Sequence, residues 1–178
     1  MIAASDLIRN LPATTGIPES TVRGHYRKLN ESGILPVSHG AKVVKLNSHH
    51  VVMLLLAILP DVQAKDAVRT ACLYHDLTDT GGNKFGDVLV NIVDSFRSVN
   101  AVAALAYKSR VELDCKAPRA CITSQCSDGV FVETLYGVPT KKWSDVRVRR
   151  SVTISGKVLF DLAKGIHFNR WQDSQKEF

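Results

Sequence analysis

The chain has 178 residues, 45% of them hydrophobic and 22% charged, with 23 Lys and Arg against 17 Asp and Glu for a net charge of +6. That balance, at a mean hydropathy of −0.01, excludes disorder, collagen-like repeats and a disulfide-dependent scaffold. The longest apolar run, Val51 to Leu59, is about half the ~20 residues of a bilayer span and stops at Pro60, so no membrane crossing is expected.

The opening Met-Ile-Ala-Ala-Ser-Asp lacks the basic start and apolar stretch of a secretory signal, which sets the expected compartment as the reducing cytoplasm. Charge is unevenly spread. Residues 1–50 carry six Lys and Arg against three Asp and Glu, residues 51–138 eight against ten, and residues 139–178 nine against four. Two basic ends flank an acidic middle. His25, His39, His49 and His50 lie in the first basic part. Clustered cations and a pI of 9.3 fit a polyanionic partner, nucleic acid above all.

Leu7, Ile8 and Leu11 mark the apolar face of one or two short helices, with Asp6 and Asn10 as expected caps. Gly16-Ile17-Pro18-Glu19-Ser20 then combines a residue free to take positive φ, a proline suited to a helix start and a Ser/Thr pair able to cap. A tight turn into a second helix is predicted. In that helix Val22, Tyr26 and Leu29 fall at i, i+4 and i+7, Arg23, Arg27 and Lys28 take other faces, and Gly33 supplies the stop. Pro36 to Leu46 offers two short β-prone runs around His39-Gly40.

Leu11, the run Gly16 to Val22, Leu29 and Gly33-Ile34-Leu35 together resemble the winged helix-turn-helix superfamily of DNA-binding domains. The resemblance covers the first fifty residues only, and Pro12 stands where the family carries alanine. It implies that the second helix enters the major groove and that the segment around His39 forms the wing. Glu19, Ser20, Thr21, Arg23 and Gly24 then face base edges, Arg23 with a bidentate guanine contact and Gly24 permitting close approach. Arg27, Lys28, His39, Lys42 and Lys45 are the expected backbone contacts. The bland alternative is a helical protein-interaction domain whose basic face is merely solvated.

The run after Ser48, apolar all round after its first turn, is a helix buried either in the chain's own core or against a second subunit. Lys65 to Leu73 continues the helical pattern. Phe85, Val88, Leu89, Ile92, Val93, Phe96 and Val99 follow at helical spacing and predict core, and Ala101 to Tyr107 predicts a short helix of small residues. The period then becomes two. Arg110 to Lys116 alternates apolar and charged residues, placing Cys115 on the apolar side and the acids on a wet face. Val130 to Tyr136 and Val146 to Ile154 behave similarly, Gly156 to Lys164 returns to helix with Gly165 as its stop, and the tail from Asn169 is polar.

The expected fold class is therefore α+β: a winged helix-turn-helix at residues 1–47, a helix-then-strand oligomerisation domain at 48–168, and a polar tail at 169–178. Cys115, Cys121 and Cys126, and Cys72 near His75, are spaced too loosely for a structural zinc motif, so no metal or other cofactor is expected. Asp79-Thr80-Gly81 matches the aspartic-protease triplet by chance in a polar loop. Gly81 to Gly86 lacks the Gly-Lys-Ser/Thr ending of a phosphate loop and is expected to be a loop with a helix cap. Arg147 and Arg149 either form a second phosphate track or protect a sheet edge.

These features predict a transcriptional regulator rather than an enzyme. It would bind double-stranded DNA as a dimer or higher oligomer, since two-fold symmetry doubles the site a single helix reads, and its second domain would answer to an unidentified small-molecule or protein effector. The alternative is the DNA-recognition subunit of a replication, recombination or packaging assembly, as in a small terminase; a third reading makes the second domain an enzyme.

Overall fold

The computed structural model describes residues 1–37, 43–97, 101–126, 128–137 and 150–168. It is a mixed helix-and-sheet, α+β structure. Strand β1 (Ile2–Ala3) leads directly into helix α1 (Ala4–Thr15), which a short turn joins to α2 (Glu19–Glu31). Strand β2 (Lys45–Leu46) then pairs antiparallel with β1, Ile2 opposite Leu46 and Ala3 opposite Lys45. Of the hairpin expected over Pro36 to Leu46, Lys45 and Leu46 are strand, Pro36, Val37, Val43 and Val44 are not, and residues 38–42 lie outside those described.

Local chemistry explains the two helices with some departures from expectation. Gly16 caps α1 at φ 75° and Gly33 follows α2 at φ 78°, so both glycines supply the left-handed conformation that ends a helix. Asp6 and Asn10 do not cap: α1 begins after Ala3 with no side-chain cap, and the Asn10 side-chain amide donates to the Asp6 carbonyl inside the helix. Pro12 is accommodated within α1, one turn before the end, where Thr15 Oγ donates back to the Leu11 carbonyl. Ser20 and Thr21 likewise do not cap α2; Pro18 occupies that position and its carbonyl accepts the Thr21 and Val22 amides.

Helix α3 (Ser48–Ile58) forms the centre of the molecule. Asn47 Oδ1 accepts the His50 amide while His50 Nδ1 accepts the Asn47 amide, a reciprocal cap that satisfies both amides at the start of the helix. Every residue from Val51 to Leu59 is buried within the single chain. This decides between the two sequence readings: α2, α4 (Ala67–His75) and α5 (Phe85–Ser95) surround α3, which leaves it nothing to present to a second subunit. Pro60 and the positive φ of Asp61 turn the chain out of α3 toward a 3₁₀ turn at Ala64–Asp66.

Beyond α5 and α6 (Ala101–Tyr107) lies a four-stranded antiparallel sheet of β3 (Arg110–Asp114), β4 (Arg119–Gln125), β5 (Phe131–Tyr136) and β6 (Ser151–Ser155), in the order β5-β4-β3-β6. Strand β4 lies between two of the predicted strands, in a segment for which the sequence pattern predicts none. The core face of β3 is Val111 and Leu113, while Cys115 lies past the strand end, half-buried. Asp114, expected on a wet face, is buried, and its carboxylate folds into the β3–β4 turn to accept the Lys116 and Ala117 amides and the Arg119 guanidinium.

Helix α7 (Gly156–Phe168) runs past Gly165, which is buried inside it rather than ending it. A Cβ on Gly156 would stand 2.2 Å from the Ala106 carbonyl oxygen, so the start of α7 crosses the end of α6 where only glycine fits. The far end returns to the chain start, where the Met1 ammonium donates to the Ile166 carbonyl at 2.6 Å. One apolar cluster thus runs from Ile2 to Ile166 across the boundary expected at residue 47. Among the described residues, no helix is long and apolar enough to cross a membrane. Val99, Arg147, Arg149 and the tail from Asn169 lie outside the described residues.

Candidate nucleic-acid interface

Helix α2 has two chemically distinct sides. Val22, His25 and Leu29 are buried at i, i+3 and i+7, with Tyr26 half-buried beside them. On the opposite side Ser20, Arg23, Arg27 and Glu31 form one exposed ridge, and Glu19 and Lys28 flank it. The expected stripe of Val22, Tyr26 and Leu29 is present, and His25 joins it. The sequence did not signal that burial because histidine carries no apolar signal; its ring nitrogens face the Thr21 and Val62 carbonyl oxygens, so an imidazole N–H has an acceptor in either tautomer.

The ridge is cross-linked by exposed ion pairs. Arg23 Nε donates to Glu19 Oε1 at 2.7 Å, Arg27 Nε to Glu31 Oε1 at 2.7 Å, and Lys28 Nζ to Glu31 Oε2 at 2.8 Å. The hydrogen bonds from Lys28 and Arg27 hold the Glu31 carboxyl below the usual carboxylate range. Pairs in this setting contribute little and are screened by salt, so a phosphate or base edge can displace the glutamates cheaply.

The sequence-predicted residues separate on this geometry. Glu19, Ser20, Arg23, Arg27 and Lys28 are brought together on the outward side. Gly24 is not with them: it faces the 3₁₀ turn, where a Cβ would make an ordinary contact with Ala64 at 3.5 Å. Thr21 is half-buried, its carbonyl near His25 Nδ1, and it lines a groove with Pro18, Ile58, Asp61 and Arg150. Lys45 is exposed on β2 opposite Ala3, and His39 and Lys42 lie outside the described residues.

Arg150 is a cation that sequence reasoning did not place here. It faces the turn before α2 across that groove, ion-paired with Asp61, so the C-terminal basic part of the chain meets the N-terminal one. Exposed Lys65 follows Ala64 in the turn packed on α2. Arg150 lies more than a hundred positions beyond α2 in the chain, and only folding brings it beside that helix.

Other expected chemistry resolves into structure. The Asp79 carboxylate accepts the Gly81 and Asn83 amides and the Asn83 side chain, so the Asp-Thr-Gly triplet closes a turn and fills the space an anion would take. Lys84 precedes α5 without a side-chain cap. His49 and His75 meet edge to face at 5.3 Å, with His75 Nε2 buried 3.6 Å from Asp87; burial and the neighbouring His75 hold the His49 imidazole below its ordinary pKa. Cys121 is buried and Cys72 and Cys126 are exposed. Among the described residues no three His, Cys, Asp or Glu side chains converge as a metal site.

No family model, curated protein or solved structure matches the chain.

Proposed function

We propose that the chain is a sequence-specific DNA-binding transcriptional regulator acting as a dimer, in which α1, the turn at residues 16–18 and α2 form a helix-turn-helix with α2 as recognition helix. The observation that carries this reading is the two-sided construction of α2: Val22, His25 and Leu29 lock one face while Ser20, Arg23 and Arg27 stand exposed on the other. A helix held that rigidly presents its outward residues in a fixed register, which base readout in the major groove demands.

Two further features support it. β1 and β2 clamp the ends of the unit, strand–helix–turn–helix–strand, as the base of a wing requires. Arg150 and Lys65 add cations beside α2 in positions suited to flanking phosphates. Exposed Arg23 carries the guanine contact, and Arg27 and Lys28 follow the backbone.

The test is selection of bound fragments from genomic DNA by the purified chain, followed by sequencing. The expected result is one enriched motif repeated with two-fold symmetry about one helical turn apart, ~10 base pairs. Fragments enriched without a common motif, or no retention at low salt, would overturn the assignment.

A further inference from the structure

We propose that β5 is a dimerisation edge, pairing antiparallel with β5 of a second copy about a two-fold axis at Val132. This deepens the DNA-binding reading by giving its dimer a surface, and rests on that reading only for the expectation that a second copy is present.

The free edge follows from hydrogen-bond alternation. β5 opposes β4 with Tyr136 across from Ala120 and Phe131 across from Gln125, and the connecting hairpin closes with the Cys126 amide donating to the Val130 carbonyl at 2.7 Å. The even-numbered residues of β5 therefore exchange their bonds with β4, and Phe131, Glu133 and Leu135 aim their amides and carbonyls away from the sheet. Gly137 obeys the same alternation, its amide donating outward to the Thr78 carbonyl at 3.0 Å. Before it, β5 ends the sheet with no strand among the described residues beyond it.

That edge is also apolar. Val130, Phe131 and Val132 are 56%, 60% and 46% exposed, three consecutive large hydrophobics on a strand whose outer edge has no strand partner among the described residues, the combination folded proteins otherwise suppress. The opposite edge is built differently. By the same alternation β6 turns Ser151, Thr153 and Ser155 outward; the Ser151 hydroxyl donates to Glu112, and α7 begins immediately after the strand. The exposed side chains of β6 are thus hydroxyls, where those at the start of β5 are apolar.

A second copy satisfies this edge because an antiparallel strand is complementary to itself, and a two-fold contact closes both edges at once instead of propagating. An axis centred on any residue of β5 keeps the outward groups matched, but one at Thr134 or beyond runs the partner strand into the segment at Thr78 that already bonds the outward amide of Gly137. An axis at Glu133 sets that carboxylate against its own copy, which repels. An axis at Phe131 overlaps only residues 130–132 before the hairpin turn. An axis at Val132 overlaps 130–134, placing Val132 against Val132 of the second copy, Val130 against Thr134 and Phe131 against the stem of Glu133. So short an overlap falls below the ~800 Å² per partner of a standard interface, which predicts a dimer that dissociates in the micromolar range.

The test is sedimentation of the full chain without DNA over roughly 1–200 μM, where such a contact titrates. Wild type is expected to pass from monomer to dimer. Val132→Lys and Phe131→Lys, both at exposed positions, should stay monomeric with unchanged thermal melting, while Thr153→Lys on the other edge should dimerise normally. In a Cys72→Ser/Cys126→Ser background, Val132→Cys should oxidise to a covalent dimer and Val130→Cys should not. A wild type that remains monomeric, or a dimer indifferent to Val132→Lys, overturns the proposal. Because no DNA is present, either failure is separable from failure of the α2 assignment, which the fragment selection reports.

Discussion

His25 Nε2 lies 3.0 Å from the carbonyl oxygen of Val62, 37 residues along the chain, while its Nδ1 lies 2.9 Å from the Thr21 carbonyl of its own helix. One buried imidazole therefore fixes α2 against the segment leaving α3. His25→Leu keeps much of the volume and removes both contacts, so it is expected to cost about 1–3 kcal/mol in urea denaturation. Loss of that size with exposed Arg23 and Arg27 untouched would show that the ridge is held from behind.

Arg23 is expected to read a base. Arg23→Ala should lose roughly 1–3 kcal/mol on the selected motif and much less on random DNA, measured by fluorescence anisotropy at one salt concentration. Equal losses on both would move Arg23 to a phosphate contact. Glu19→Gln frees Arg23 from its ion pair and should tighten binding to both.

Salt dependence should follow the number of phosphates neutralised. Arg27→Gln/Lys28→Gln is expected to reduce the slope of log K against log salt by about 1.8 per subunit, at ~0.9 per contact, with the preferred motif unchanged. Lys42→Gln/Lys45→Gln should act similarly if the wing reaches the backbone. An unchanged slope in these variants, with a flattened one in Arg147→Gln/Arg149→Gln, would assign the phosphate track to the C-terminal basic segment.

Stability should respond to acid through Asp114. Burial alone would raise its pKa, but the Lys116 amide, the Arg119 guanidinium and the Ala117 amide together hold it below the usual aspartate value. A group with a depressed folded-state pKa stabilises above its unfolded pKa, and that contribution is lost as pH falls through the folded value. Asp114→Asn should therefore destabilise the chain by roughly 1–3 kcal/mol at neutral pH, with the gap to wild type closing below about pH 4. A gap independent of pH would mean that the turn depends on shape rather than charge.

The amino-acid sequence by itself determined the elements whose signals are local. Gly16 and Gly33 mark helix ends because left-handed backbone is cheap only for glycine, and Val22 with Leu29, or Phe85 with Leu89 and Val93, mark buried faces because apolar side chains recur at the helical period. The outward ridge of Arg23 and Arg27 was legible for the same reason. The tertiary structure decided whatever depends on residues distant along the chain. It buried the whole of Val51–Leu59 inside one subunit, which periodicity cannot tell from burial between two. It made β4 a strand where none is predicted, because pairing with β3 and β5 outweighs the weak strand preference of its Ser and Gln residues. It turned Gly24 toward Ala64, buried His25 and Asp114 by giving their polar atoms partners, and set Arg150 across from Thr21. Polar burial is invisible in sequence for one physical reason: it is stable only when a partner is present, and those partners are chosen by the fold.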